Sequence, residues 1–202
     1  MFQSKRLIAV LIGSLGFLSV EKGAFAREYS SIVLGPTFSQ NSFLNSNIAG
    51  PSSIGVGLSF GSFFGLEISD RFGFESGFLF VKRTTSFNNG VQYSGTTLNI
   101  PLLVTYVPVA HHPHLKLELG PYLGLMPSGS LTQNGSNLST IANIDDIDIG
   151  AVGGLTYLIS LSSKADLRMS ALYYFGFTDM SSRSGVVKSR GLDTLIGLSF
   201  YI

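Results

Sequence analysis

Ile54-Gly-Val-Gly-Leu-Ser-Phe-Gly-Ser-Phe-Phe-Gly-Leu-Glu-Ile68 is the stretch that decides the fold. Ile54, Val56, Leu58, Phe60, Phe64, Leu66 and Ile68 share one face of an extended chain, with Gly55, Gly57, Ser59, Gly61, Gly65 and Glu67 opposite. Such alternation marks a β-strand, whose successive side chains point to opposite faces. The two faces differ in an unusual way. A soluble barrel turns its apolar face inward and a well-solvated polar face to water. Here the polar face is mostly glycine and serine, too bare for a solvent surface but suited to a crowded interior. The apolar face is therefore read as facing lipid.

The same pattern repeats outward in both directions, giving eight segments. Before it, Ile32, Leu34, Pro36 and Phe38 oppose Val33, Gly35 and Thr37. After it, Phe72, Phe74, Phe78 and Phe80 oppose Gly73, Glu75 and Gly77; Leu98, Ile100, Leu102, Val104 and Tyr106 oppose Asn99, Pro101 and Thr105. The fifth segment sets Leu115, Leu117, Leu119 and Leu123 against Lys116, Glu118, Gly120 and Tyr122. The sixth sets Ile147, Ile149, Leu155 and Tyr157 against Asp148, Gly150, Gly154 and Thr156. The seventh sets Leu167, Met169, Tyr173 and Phe175 against Asp166, Arg168 and Ser170; the eighth sets Leu192, Ile196, Leu198 and Phe200 against Asp193, Gly197, Ser199 and Tyr201.

The connections alternate in length. Those near Ser69-Asp70, Val109–His114 and Ser160–Lys164 are short, whereas Ser39–Ser53, Arg83–Thr97, Pro127–Asp146 and Asp179–Arg190 are long and rich in Ser, Asn and Gly. Short periplasmic turns and long outer loops are the asymmetry of outer-membrane barrels. Backbone in lipid must satisfy its own hydrogen bonds, so the sheet closes on itself. The expected fold is all-β: an eight-stranded antiparallel transmembrane β-barrel with both ends on the periplasmic side.

With 12% charged residues among 202, no stretch beyond residue 26 carries the roughly 20 consecutive apolar residues of a membrane-spanning helix. The N-terminus reads as an export signal. Lys5 and Arg6 precede the apolar run Leu7–Leu18, and Ala24-Phe25-Ala26 supplies a small-x-small cleavage site. Residues 1–26 are thus expected to be a cleaved signal peptide for the Sec route, and 27–202 the barrel domain in the bacterial outer membrane. Cleavage removes Lys5, Arg6, Lys22 and Glu21, leaving 10 basic and 11 acidic residues. A balance near neutrality argues against nucleic-acid binding. The absence of cysteine excludes a lipid anchor at the cleavage site, disulfides and thiolate metal sites.

Several stretches resemble the PorT-like outer-membrane β-barrel domain family. They include Leu98-Asn-Ile-Pro101-Leu102-Leu103-Val-Thr-Tyr106, Leu117-Glu-Leu-Gly120-Pro121-Tyr122-Leu-Gly-Leu125, and Ile149-Gly-Ala-Val-Gly153-Gly154-Leu155. Asp166-Leu-Arg168-Met-Ser-Ala-Leu-Tyr173-Tyr174 and the ending Arg190–Phe200 continue the likeness, which spans about residues 30–202. The resemblance implies an eight-stranded outer-membrane barrel without a single biochemical activity; some relatives assist protein secretion. Two features depart from the usual pattern: Ile202 rather than an aromatic residue ends the chain, and tryptophan is absent, leaving interface girdles to Tyr and Phe.

Candidate chemistry is sparse. His111, His112 and His114 are the only histidines; Pro113 interrupts them, and they lie in an expected periplasmic turn. A Ser-His-acid enzyme of the outer membrane needs its His at the other end, so no catalytic, cofactor-binding or metal residue is assigned. Asn143, Asp145, Asp146 and Asp148 form an acidic loop end without the spacing of a calcium loop.

Two groups do stand out. Strand direction places Glu67, Glu75, Lys116, Glu118, Asp166 and Arg168 on the inward face in the periplasmic half. Buried charges need partners, so Lys116 and Arg168 are expected to bridge the four carboxylates into a polar plug. Lys82, Arg83, Arg183, Lys188 and Arg190 fall at the outer ends of segments or in outer loops, as a collar for lipopolysaccharide phosphates. The function expected is non-enzymatic, a structural or envelope-interaction role. The alternative is a narrow channel or an accessory of a secretion or transport system. Expected partners are outer-membrane lipid, lipopolysaccharide and, during biogenesis, the outer-membrane assembly machinery, with any external partner of the loops unnamed.

Overall fold

A computed structural model of the chain describes residues 27–43, 54–86, 91–109, 114–133, 136–140, 147–177 and 187–202. Its strands are β1 (Arg27–Phe43), β2 (Gly55–Glu67), β3 (Phe72–Ser86), β4 (Val91–Tyr106), β5 (Leu115–Gln133), β6 (Ser136–Thr140), β7 (Ile147–Ser162), β8 (Ala165–Gly176) and β9 (Val187–Tyr201). Neighbours pair antiparallel in the order β4-β3-β2-β1-β9-β8-β7-β5, and a β4–β5 pairing closes the ring. The result is a closed eight-stranded barrel. Among the described residues the ninth strand, β6, pairs with the outer end of β5 alone and is not a stave.

The expected phase holds on every stave. Ile32, Leu58, Phe74, Leu102, Leu119, Leu155 and Leu198 point outward and are exposed; Val33, Phe63, Leu79, Leu103, Val152, Leu172 and Leu195 point inward and are buried. Partners can be followed once round the ring, from Glu28 through Leu66, Phe74, Val104, Leu119, Gly153, Tyr173 and Leu192 to Phe38. The path returns to β1 ten residues further along. A stagger of this size tilts the strands by about 35–45° to the barrel axis. On the lipid face Phe72 packs on Tyr106 near the periplasmic turns, and Phe175 on Phe177 near the outer end. Phenylalanine and tyrosine thus occupy both interface levels.

Two local features of the wall have physical causes. A Cβ on Gly197 would run into the Ile32 carbonyl, and one on Gly35 into the Thr194 carbonyl. Glycine therefore lets β1 and β9 approach closely, beyond simply leaving room in the lumen. Proline cannot donate to a ladder. At Pro36 the Thr194 hydroxyl donates to the proline carbonyl (3.3 Å), and at Pro101 the Ser76 hydroxyl does so (2.9 Å). Both hydroxyls belong to the lipid-facing side of their strands, where an unsatisfied polar group is costly.

The expected loops shorten. β1 runs to Phe43, β3 to Ser86 and β5 to Gln133, while β4 starts at Val91 and β9 at Val187. The long connections are partly ladder that stands above the membrane. Thr, Ser, Asn and Gln are frequent there, so no apolar alternation marks them as strand. The export signal, residues 1–26, lies outside the described residues.

Candidate functional site

The barrel interior is layered, and the order is visible along single strands. Running outward on β8, the inward residues are Asp166, Arg168, Ser170, Leu172 and Tyr174; on β9, in reverse, they are Tyr201, Ser199, Gly197, Leu195 and Asp193. Each goes polar, apolar, polar.

The inner, periplasmic layer is organised around Arg168, whose side chain is fully buried. Its Nη1 and Nη2 donate to the two oxygens of Glu75, both at 2.7 Å, a bidentate pair. Nη2 also reaches Glu118 Oε1 at 3.2 Å and Thr156 Oγ1 at 3.3 Å, and Nε donates to Ser170 Oγ at 2.9 Å. One guanidinium from β8 thereby ties β3, β5 and β7 together across the lumen. Its flat face lies 4.5 Å from the centre of the Phe63 ring, a cation–π contact. Glu75 receives a further bond from Tyr29 Oη at 2.7 Å. Lys116 pairs with Glu67 at 2.7 Å and sits 4.5 Å over the Tyr29 ring. Tyr201 Oη donates to Asp166 at 2.6 Å, and Arg27 stacks on that Tyr201 ring at 3.5 Å. Ser31 and Ser199 share a hydrogen bond, as do Thr156 and Ser170.

Above this layer Val33, Leu79, Leu103, Val152, Leu172 and Leu195 meet in one buried apolar cluster. The outer layer follows: Thr37, Ser59, Arg83, Asn99, Tyr122, Asp148, Tyr174 and Asp193, all buried. Tyr122 Oη donates to Asp148 at 2.7 Å and its ring meets Tyr174 edge to face.

The outer membrane protein beta-barrel domain family matches residues 28–182, which is most of the chain. The chain belongs to this family. No curated protein matches it significantly. Solved structures agree on the fold. Neisserial surface protein A superposes with a TM-score of 0.50 at 18% identity, covering 89% of this chain and 99% of its own. OprG of Pseudomonas aeruginosa gives 0.54 at 12%, covering 88% and 97%. Ail, the attachment invasion locus protein of Yersinia pestis, gives 0.50 at 13%, covering 86% and 98%. All three are outer-membrane barrels of the same size class, and their likeness extends to the fold alone.

Within that barrel the sequence-derived residues fall as follows. Glu67, Glu75, Lys116, Glu118, Asp166 and Arg168 all lie in the inner layer, but the bases do not bridge all four acids. Lys116 takes Glu67, Arg168 takes Glu75 and Glu118, and Asp166 is held by the Tyr201 phenol instead. Arg83 departs from the collar. On β3 it keeps the inward phase of Glu75 and Leu79 and is 6% exposed, so it belongs to the lumen. Lys82 and Arg190 are exposed on the outward face, with Arg190 lying 5.0 Å over the Phe175 ring. Arg183 and the Lys188 side chain lie outside the described residues, as do His111, His112, Asn143, Asp145 and Asp146. Asp148 is not part of a solvated loop end; it points into the barrel toward Tyr122. Sequence reasoning assigned no role to Tyr29, Ser31, Phe63, Thr156 or Ser170. Phe63, Thr156 and Ser170 lie in segments whose inward phase is readable, and that phase was the available signal, whereas Tyr29 and Ser31 precede the first of those segments.

Proposed function

We propose that this outer-membrane barrel is a non-enzymatic, non-conducting envelope protein whose lumen is closed by the Arg168 layer. The observation that carries the reading is that network: one buried guanidinium holding two carboxylates, Glu75 on the strand across the ring and Glu118 on β5, with Lys116–Glu67 beside it and an apolar septum above it. A conducting lumen needs hydrated, mobile charges. Here the charges are paired across the bore, and eight strands leave an interior that side chains fill. Lys82 and Arg190, outward-facing at the outer end, support contact with lipopolysaccharide phosphates through charge-assisted hydrogen bonds. Export by a cleaved leader of residues 1–26 through the Sec route, and insertion by the outer-membrane assembly machinery, complete the reading. The resemblance of Leu98–Tyr106 and Leu117–Leu125 to PorT-like barrels favours the second reading, an accessory of a secretion system. Purification from native membranes separates the two. Lipopolysaccharide retained without any stoichiometric export component is the expected result; a stable stoichiometric complex with a secretion machine overturns the first reading in favour of the second.

A further inference from the structure

The two polar layers of the lumen are bonded differently. In the inner layer the charged and hydroxyl groups reach one another directly, and the one buried polar side-chain atom there without a hydrogen bond, among the described residues, is Glu118 Oε2. In the outer layer Thr37 Oγ1, Ser39 Oγ, Ser59 Oγ, Asn99 Nδ2, Tyr174 Oη and both carboxylate oxygens of Asp193 are buried and make none. All six of these residues are at most 2% exposed. The Asp193 carboxylate lies among Arg83 and the hydroxyls of Thr37 and Ser59. A buried donor or acceptor that has lost water without gaining a partner is costly, and native interiors leave few. The cluster is also contiguous. Thr37 pairs with Asp193 across the β1–β9 seam, Ser39 with Gly191 on the same seam, and Tyr174 with Gly191 on the next.

We propose that the outer layer is a hydrated pocket whose guest is water drawn from the cell exterior, with the apolar septum as its floor. Water suits this set because the orphaned atoms include donors and acceptors, and each water supplies both. The side chains close over these groups in the present conformation, so entry requires one of them to move. The long Arg83 side chain, whose Nη2 lies 3.1 Å from where a Cβ on Gly191 would sit, is the element that does so. Gly191, against which Arg83 lies, carries no side chain to oppose the movement. The lumen is then wet in its outer half and dry in its inner half. This rests on the closed-lumen reading for its floor, but not for the pocket itself.

The chain has no cysteine, so single introduced thiols report hydration without background. The probe is a small methanethiosulfonate reagent added from outside to the full-length protein in lipid vesicles. Ser59→Cys and Thr37→Cys probe the outer layer, Ser31→Cys and Ser170→Cys the inner one. Heat-modifiable gel migration confirms that each is folded, and labelling after unfolding gives the full signal. The expected result is labelling of the outer pair at least tenfold faster than the inner pair. Equal protection of all four, in folded protein, overturns the hydrated pocket and leaves the closed lumen standing. Fast labelling of all four keeps the outer layer wet but overturns the dry floor, and with it the closed lumen.

Discussion

Replacing Arg168 by alanine tests the energetic logic of the inner layer most sharply. The guanidinium is 1% exposed, and the Glu75 and Glu118 side chains it serves are fully buried. Its removal deletes the bidentate bond to Glu75, the bond to Glu118 and the bonds to Ser170 and Thr156. Two carboxylates are then left buried near each other, with Tyr29, among the described residues, the one direct donor to Glu75. Breaking a buried ion pair from one side costs about 3–5 kcal/mol, because the orphaned charge remains. The aggregate loss for Arg168→Ala is therefore expected at the upper end, about 5 kcal/mol, with the cavity contributing to it. The penalty belongs to the unpaired acids, so the triple variant Arg168→Met, Glu75→Gln, Glu118→Gln should recover most of it. Neutral replacements of buried ion sets are often tolerated or stabilising. Reversible urea unfolding in lipid vesicles, read by tryptophan-free fluorescence of tyrosine and by gel migration, measures both. Arg168→Ala within about 0.5 kcal/mol of the parent, the range of ordinary surface changes, refutes the reasoning.

Three further outcomes follow from the wall and the collar. Leu102→Arg, on the lipid face near mid-height, should lose about 2–4 kcal/mol of folding free energy in vesicles, whereas Asn99 on the opposite face of the same strand should tolerate Ser with a far smaller loss; equal losses contradict the phase. Gly197→Ala should destabilise by about 1–3 kcal/mol, since its Cβ meets the Ile32 carbonyl rather than a movable side chain; a neutral result contradicts the close β1–β9 approach. Lys82→Gln with Arg190→Gln should lower the lipopolysaccharide retained on purification, and unchanged retention removes the collar.

The sequence carried the staves well and the lumen unevenly. Alternation such as Ile54–Ile68 fixes strand, phase and inward face together, because a one-residue slip would move every apolar side chain to the wrong side. It also assigned six charges to the inner layer. Which base meets which acid was not legible, since pairing depends on the ten-residue stagger round the ring rather than on spacing within a segment. Asp166 illustrates this: it lies two residues from Arg168 but meets Tyr201 on the neighbouring strand. Arg83 was misplaced for a different reason. It follows the last apolar residues of its segment, where a loop was expected, but β3 continues to Ser86 and carries the inward phase with it. The same extension hid β6, whose Ser-Asn-Leu-Ser-Thr offers no two-faced pattern.

Single-channel recording of the unmodified protein in planar bilayers tests the closed lumen most directly. Folded protein, verified by gel migration before and after incorporation, is expected to leave the bilayer at its baseline current, while Arg168→Ala introduces small steps. Reproducible conductance steps from the unmodified barrel would contradict a lumen closed by the Arg168 layer.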